Sequence, residues 1–275
     1  MSTNKDECTS CNEKDNCSGE DCSITKLAPN EASEIKSVIA VMSGKGGVGK
    51  SSISGLLAVN LARRGFKVGI LDADITGPSI PKMFNLKEQP HSDGRFMYPL
   101  ETSTGIRIIS MNLLLPSEDQ PVIWRGPVIS GAVKQFWTDV AWGRLDYLII
   151  DMPPGTGDVP LTVMQSLPLT GFVIITSPQD LASVIVKKAV NMAQQMDVPI
   201  LGMVENYSYL KCPDCGTEIK LFGEGHATKL ATETGIPMLE ILPVDPLLAN
   251  LCDNGQIENY PPELFKNFST VKTHA

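Results

Sequence analysis

Short apolar runs alternate with stretches of helical spacing along most of this chain, beginning near residue 37. The run at 37–43 (SVIAVMS) is almost continuously apolar, as a strand covered on both faces must be. Residues 50–64 carry helical spacing and stop at Gly65. Val68–Asp72 predicts a second strand, 106–110 a third, and 147–151 (YLIID) is strongly β. The 128–142 stretch has helical spacing, with Phe136, Val140 and Ala141 on one face. Gly171–Thr176 predicts another strand, followed by a helix over 181–196. Ile200–Glu205 predicts a strand, Ala227–Thr234 a short helix, 238–242 the last strand and 262–271 a short terminal helix. Strands this apolar, separated by helices, predict an α/β fold built on a doubly wound, mostly parallel sheet.

Residues 1–35 break the pattern. Four cysteines sit there among Asp, Glu, Asn and Ser, with almost no large apolar residue. Such a segment buries too little surface to offset its ordering entropy. The chain therefore divides into a flexible Cys-containing tail, 1–35, and one folded domain, 36–275.

The 275 residues are 42% hydrophobic and 20% charged, enough for one core that needs no disulfides. The net charge of −8 disfavours non-specific nucleic-acid binding, which needs basic surface. No apolar run reaches the roughly 18 residues that would cross a membrane. The polar start, MSTNKDE, lacks the pattern of a secretory signal. The expectation is a cytoplasmic protein with neither nucleic acid nor membrane as partner.

The strand at 37–43 runs straight into Gly44-Lys45-Gly46-Gly47-Val48-Gly49-Lys50-Ser51. This fits G-x-x-x-x-G-K-[ST], with a strand before it and a helix after, the context a phosphate loop requires. The glycines let consecutive backbone N–H groups turn inward around phosphates, and the helix opening at Lys50, Ser51 and Ser52 points its positive end at them. Lys50 is placed to reach the β- and γ-phosphates of ATP, and the Ser51 hydroxyl to ligate Mg²⁺. Two acidic strand ends complete the site. Asp72-Ala73-Asp74 follows the second strand, and Asp151 ends the strand at 147–151. Carboxylates at the carboxyl ends of parallel strands face the ligand crevice. Asp151 is the candidate to hold Mg²⁺ through water, Asp72 a neighbour of that metal, and Asp74 the residue that positions the attacking water. Gly155, in the MPPGTGD segment after Asp151, offers a backbone N–H for the γ-phosphate.

A lysine directly after the first glycine marks the deviant form of this loop, and here the chain resembles ATPases such as MinD, ParA and the nitrogenase iron protein. The resemblance implies that Lys45 crosses a dimer interface to the partner's nucleotide, supplying charge as an arginine finger does. The alternative is a solvated loop lysine. Over residues 37–255 the chain is most similar to one family, the Mrp (ApbC) ATPases that bind and transfer iron–sulfur clusters. The blocks that carry this are GKGGVGKS (44–51), DADITGPSIPKMF (72–84), WRGP (124–127), DYLIIDMPPGTGD (146–158), TSPQDLA (176–182), ENYSYLKCPDCG (205–216), FGEG (222–225) and LPVDP (242–246). MinD-like relatives share the loop and the switches but not Cys212-Pro213-Asp214-Cys215. The resemblance implies that Asn206 contacts adenine, that Pro243 and Asp245 line the base pocket, and that Trp124-Arg125-Gly126-Pro127 shapes the interface or the crevice.

Cys212 and Cys215 supply two thiolates, and a closed metal site needs four. In the family the same pair from a second subunit completes a site for a bridging [4Fe–4S] cluster, which implies a homodimer, with apo iron–sulfur proteins as recipients. All-sulfur coordination also suits structural zinc, which stays open as an alternative. The tail cysteines Cys8, Cys11 and Cys17 match the last three of a cluster motif in eukaryotic relatives; the earlier cysteine has no counterpart, and Cys22 is the candidate substitute. Adventitious metal binding by a flexible tail is the competing reading. Cys252 reads as a small buried residue. The competing functions are a MinD- or ParA-like positioning ATPase and a zinc-stabilised ATP-binding scaffold. The first wants a basic amphipathic terminal helix or a basic patch, and PPELFKNF with the acidic balance provides neither.

Overall fold

The computed structural model describes residues 26–74, 77, 79–114, 126–179, 181–261, 263–266 and 268. Cys8, Cys11, Cys17, Cys22, Trp124 and Arg125 lie outside the described residues, as does much of the helix expected over 262–271.

The chain begins with β1 (Ser33–Ser43), α1 (Lys50–Arg63), β2 (Val68–Asp72), a single helical turn α2 (Ile80–Met83), β3 (Leu100–Glu101) and β4 (Arg107–Ser110). It continues through α3 (Gly126–Thr138), β5 (Gly143–Asp151), α4 (Asp158–Ser166), β6 (Gly171–Thr176), α5 (Leu181–Gln195) and β7 (Ile200–Glu205). The last elements are β8 (Leu210–Lys211), β9 (Glu218–Ile219), α6 (Ala227–Thr234), β10 (Met238–Ile241) and α7 (Pro246–Asp253). Eight strands form one sheet in the order β10-β7-β6-β1-β5-β2-β4-β3, parallel except for β3 at the edge. The separate β8–β9 pair is a small antiparallel hairpin. No helix of the described residues is long and apolar enough to cross a membrane.

The strands at Val68–Asp72, Gly171–Thr176 and Ile200–Glu205 fall where their apolar runs place them. Alternation within β1 divides the core in two. Val38, Ala40 and Met42 join a cluster with Trp137, Trp142 and Val163. Ile39 and Val41 join one with Leu57, Leu61 and Phe265 on the other face. Strand β1 starts four positions before the apolar run, because the half-exposed residues Ser33 to Ser37 still pair with Gly143 to Tyr147 of β5.

Helical spacing over 128–142 overruns the helix, which ends at Thr138. There the Asn30 side-chain amide donates to the Thr138 and Val140 carbonyls at 2.9 and 2.7 Å, and the Met97 backbone pairs with Asp139 and Ala141. Val140 and Trp142 stay buried, now in an extended connection. Helices α4 and α7 carried no apolar stripe long enough to read. The start of α7 is nonetheless marked: Asp245 caps it by accepting from the Leu247 N–H at 2.8 Å, with Pro246 in the first turn.

Gly171 opens β6 where a side chain has no room: an added Cβ would stand 2.7 Å from the Pro199 carbonyl oxygen, which is backbone and cannot rotate away. Gly171→Ala is expected to lose about 1–3 kcal/mol of stability, read from the urea midpoint at unchanged m-value.

Candidate functional site

All the segments singled out for phosphate chemistry leave the sheet at its carboxyl edge, so the fold brings them together. Strand β1 delivers the loop 44–49, β2 delivers Asp72 and Asp74, β5 delivers Asp151, and β7 delivers Asn206. Gly47 and Gly49 adopt φ of 79°, the left-handed region that favours glycine. A Cβ at Gly49 would also lie 2.4 Å from the Asn206 amide nitrogen. Helix α1 opens immediately after Gly49, so its first N–H groups face the loop.

Asp151 has no exposed surface. Its carboxylate accepts from the Ser51 and Ser54 hydroxyls, each at 2.6 Å, and pairs with the Lys50 ammonium at 2.8 Å. Lys50 also lies 3.7 Å from Asp74 and 3.2 Å from the Ser51 hydroxyl. Asp72 is the register partner of Asp151 on the adjacent strand. It accepts from the Ser110 hydroxyl at 3.0 Å and from the Asp74 N–H at 3.1 Å. Burial, and then the neighbouring Asp151 charge, push the Asp72 carboxyl up to about 8, against the opposing pull of Lys50, Ser110 and the Asp74 N–H. The donor set is all oxygen, with a hydroxyl beside carboxylates, which fits a hard divalent cation such as Mg²⁺.

A cavity of about 470 Å³ opens beside these residues, lined among others by Lys50, Asp74, Asn206, Pro243, Asp245 and Cys252. The Asn206 amide donates to the Val48 carbonyl at 3.0 Å, tying β7 to the phosphate loop. Asp245 lines the cavity, yet both its oxygens are engaged, by the Leu247 N–H and by the Tyr260 hydroxyl at 2.7 Å. The Gly155 N–H donates to the Ser43 carbonyl at 2.8 Å, so it must change partner to meet a phosphate. Lys45 turns back within its own chain, its ammonium on the Gln179 side-chain oxygen.

Three residues at this site had been given no role, although Glu205 and Tyr207 stand in the ENYSYLKCPDCG block. Tyr207 adopts a left-handed φ of 62°, with its hydroxyl 3.0 Å from where a Gly49 Cβ would stand. Cys252 is buried, as its apolar neighbour Leu251 implied, but it also lines the cavity, its sulfur 3.9 Å from the Ser52 hydroxyl. Glu205, buried at the end of β7, accepts from the Ser208 hydroxyl at 2.7 Å and from the Ala227 N–H at 3.0 Å. Those two donors are the feet of the loop that carries the cysteine pair.

Cys212 and Cys215 lie at the turn of the β8–β9 hairpin. The Cys212 N–H donates to the Thr217 carbonyl at 2.9 Å, and the Gly216 N–H to the Cys212 carbonyl at 2.9 Å. The Cys215 sulfur lies 3.2 Å from the Thr217 hydroxyl. The Thr217 hydroxyl, the Thr217 N–H and then the Cys212 thiol draw the Cys215 thiol below its ordinary range, toward the thiolate that binds metal. Among the described residues no group of three or more His, Cys, Asp or Glu gathers at one metal-binding point.

Comparison with known proteins gives one answer. Residues 34–273 match a family model described as ParA, the NUBPL iron-transfer P-loop NTPases. The chain is 45% identical over 268 residues to an iron–sulfur cluster carrier protein of Clostridium perfringens, spanning 94% of this chain and 93% of that one. It is 50% identical over 218 residues to a protein of the same description from Pyrococcus horikoshii, spanning 75% and 74%. A nucleotide-binding protein of Archaeoglobus fulgidus, solved in complex with ADP, superposes with a TM-score of 0.77 at 47% identity, over 85% of this chain and 92% of that one. MinD of Aquifex aeolicus, in its complex with MinC, shares the fold at a TM-score of 0.58 and 19% identity, over 80% and 86%.

The buried Asp72–Asp151 pair gives a pH signature. A carboxyl whose folded value lies above its unfolded value destabilises the native state as it ionises, so stability falls as pH rises from about 4 toward 8. Asp72→Asn removes that cost. It is expected to raise stability by about 1–3 kcal/mol at pH 8 and by much less at pH 5, read from thermal melts across that range.

Proposed function

The chain belongs to the family of NUBPL iron-transfer P-loop NTPases, and on that footing we propose that it is an iron–sulfur cluster carrier that binds and hydrolyses ATP and passes a [4Fe–4S] cluster to apoproteins. One observation carries this reading. A phosphate loop with its acidic partners and a two-thiol hairpin are linked by one short run of chain, from Asn206, whose amide holds the Val48 carbonyl, to Cys212 six residues further on.

Hydrolysis follows from the residues gathered at the strand ends. The inward N–H groups of 44–49 and the Lys50 ammonium hold the phosphate oxygens and spread the charge that develops on them. Asp74, on the Lys50 side of the cavity, orients a water toward the γ-phosphorus. The new bond forms to the water oxygen while the bond to the β–γ bridging oxygen breaks. Mg²⁺, held by the Ser51 hydroxyl and through water by Asp151, would screen the phosphate charge. The Asn206 amide and Pro243 flank the base. Asp245 acts one step back, fixing the start of α7 against Tyr260. Lys45 leaves Gln179 to reach the nucleotide of a second copy, so the full charge at the transferring group forms only in a homodimer.

The cluster is cargo. Cys212 and Cys215 hold one side of it as thiolates, and the same pair of a second copy holds the other, so a site that no single described chain completes depends on the dimer. Apoproteins that bind [4Fe–4S] clusters are the recipients.

Iron, sulfide and zinc analysis with absorption spectra, on protein purified without oxygen, tests the cargo. About four irons per pair of chains are expected, with a broad band near 400 nm, both lost in Cys212→Ala. Stoichiometric zinc with no visible band, even after reconstitution with iron and sulfide, overturns the carrier reading. For the ATPase, Lys50→Ala is expected to abolish nucleotide binding. Lys45→Ala is expected to keep binding and lower turnover by about 10³-fold or more, in a phosphate-release assay.

A further inference from the structure

The cysteine hairpin is built as if it were not meant to stand alone. Strands β8 and β9 have two residues each and pair only with each other. Isolated two-stranded hairpins are marginal in water even when longer. Residues 213 to 226 are exposed without interruption. Within that run stand Ile219, Leu221 and Phe222, exposed at 45%, 51% and 45%. Large apolar side chains clustered at such exposure, inside a polar rim, mark a contact surface.

Their placement says what the contact is with. Cys215 bonds to the Thr217 hydroxyl, and Thr217 and Ile219 are two positions apart on one extended run, so the thiol and Ile219 share a face of the hairpin. Whatever covers the apolar strip also borders the thiols. The thiols number two, and the described residues offer no further ligands beside them. A two-fold axis at this point maps the hairpin onto itself and supplies the missing thiolates and the apolar cover together. Charge permits it. Residues 211–226 carry Lys211 and Lys220 against Asp214, Glu218 and Glu224, close to balance in a chain whose net charge is −8.

We propose that Ile219, Leu221 and Phe222 form the apolar wall of a two-fold contact between the hairpins of two copies of this chain, closing around Cys212 and Cys215 and setting how long a cluster is retained. The proposal rests on the carrier reading and adds to it the surface that makes the shared site last. The same wall keeps water from the thiolate–iron bonds, and a recipient's thiolates reach the cluster only as it opens.

The test compares the full chain with Leu221→Ser/Phe222→Ser, both reconstituted anaerobically with iron and sulfide. Both replaced side chains are exposed, so the melting temperature of the apo chain and its ATP affinity are expected to hold. The wild-type chain is expected to run as a cluster-bearing dimer by light scattering. The variant is expected to run largely as a monomer and to lose iron to a ferrous chelator at least about tenfold faster, since the apolar area that the contact would cover is gone. A variant with the same dimer fraction and the same rate of iron loss as wild type overturns the proposal and leaves the carrier reading in place. A wild-type chain that takes up no cluster removes both. Replacing Cys8, Cys11, Cys17 and Cys22 with Ser addresses the tail as the alternative cover. A wild-type cluster that sits on monomers and vanishes with those serines overturns the two-fold contact.

Discussion

Asp151 is a carboxylate without exposed surface, and removing such a group from water costs several kcal/mol unless the protein replaces its hydration. Here the replacement comes from helix α1: the Lys50 ammonium and the hydroxyls of Ser51 and Ser54 converge on its two oxygens. The requirement runs in both directions. Lys50 is also buried and needs an anion. The serines, one turn apart, meet a single carboxylate only if α1 starts immediately after Gly49 and lies across β5. The left-handed turns at Gly47 and Gly49 make that start possible. The loop is thereby held to the sheet before any phosphate arrives. The same constraint reaches β2, where Asp72, first by its burial and then by the neighbouring Asp151 charge, is pushed to keep its proton to unusually high pH. A buried nucleotide-binding motif and a pH-dependent stability are two results of one electrostatic problem.

Much of this was legible in the chain because each signal was local. The phosphate loop, the three strands whose bounds match their apolar runs, and the acidic strand ends are all read within a few residues of themselves. What escaped depends on partners distant in sequence. Nothing near Thr138 says that a helix must stop there; the stop comes from Asn30, more than a hundred positions earlier. Cys252 falls at the cavity because α7 turns Leu248, Ala249 and Cys252 to one side, a spacing visible in the sequence once Asp245-Pro246 is taken as a helix start. Tyr207 had no such cue, since a left-handed tyrosine cannot be read from composition or period. Asp245 shows the reverse. Resemblance put the residue in the lining of the base pocket, and the structure places it at the cavity with its carboxylate oxygens already committed to α7 and Tyr260.

The hairpin differs in its physics from the sheet that carries it. The central strands, by contrast, are buried on both faces and helices cover them. Between 213 and 226 nothing is buried, and the backbone is held by a few hydrogen bonds around Cys212 and Thr217. A segment with so little burial has low local stability, so its geometry is set by whatever binds it. For a group that must both hold and release a cargo this is an advantage. A rigid cage would bind a cluster tightly and surrender it slowly, whereas a loose hairpin that held one would gain order from it and lose that order again on transfer.

Such looseness would be useless without a fixed base, and Glu205 provides it. Its buried carboxylate takes one hydrogen bond from Ser208, where the excursion leaves the sheet, and one from Ala227, where it returns as helix α6. Gly225 passes so close that an added Cβ would stand 2.2 Å from the carboxylate. Both feet of the hairpin are thus pinned at one point, and the next residue along from that point is Asn206, whose amide holds the Val48 carbonyl of the phosphate loop. The phosphate loop and both feet of the hairpin are therefore joined through two adjacent residues. Asn206 holds the loop and Glu205 holds both feet at once rather than one, so the base of the hairpin is fixed to the nucleotide side of the sheet however loose its tip.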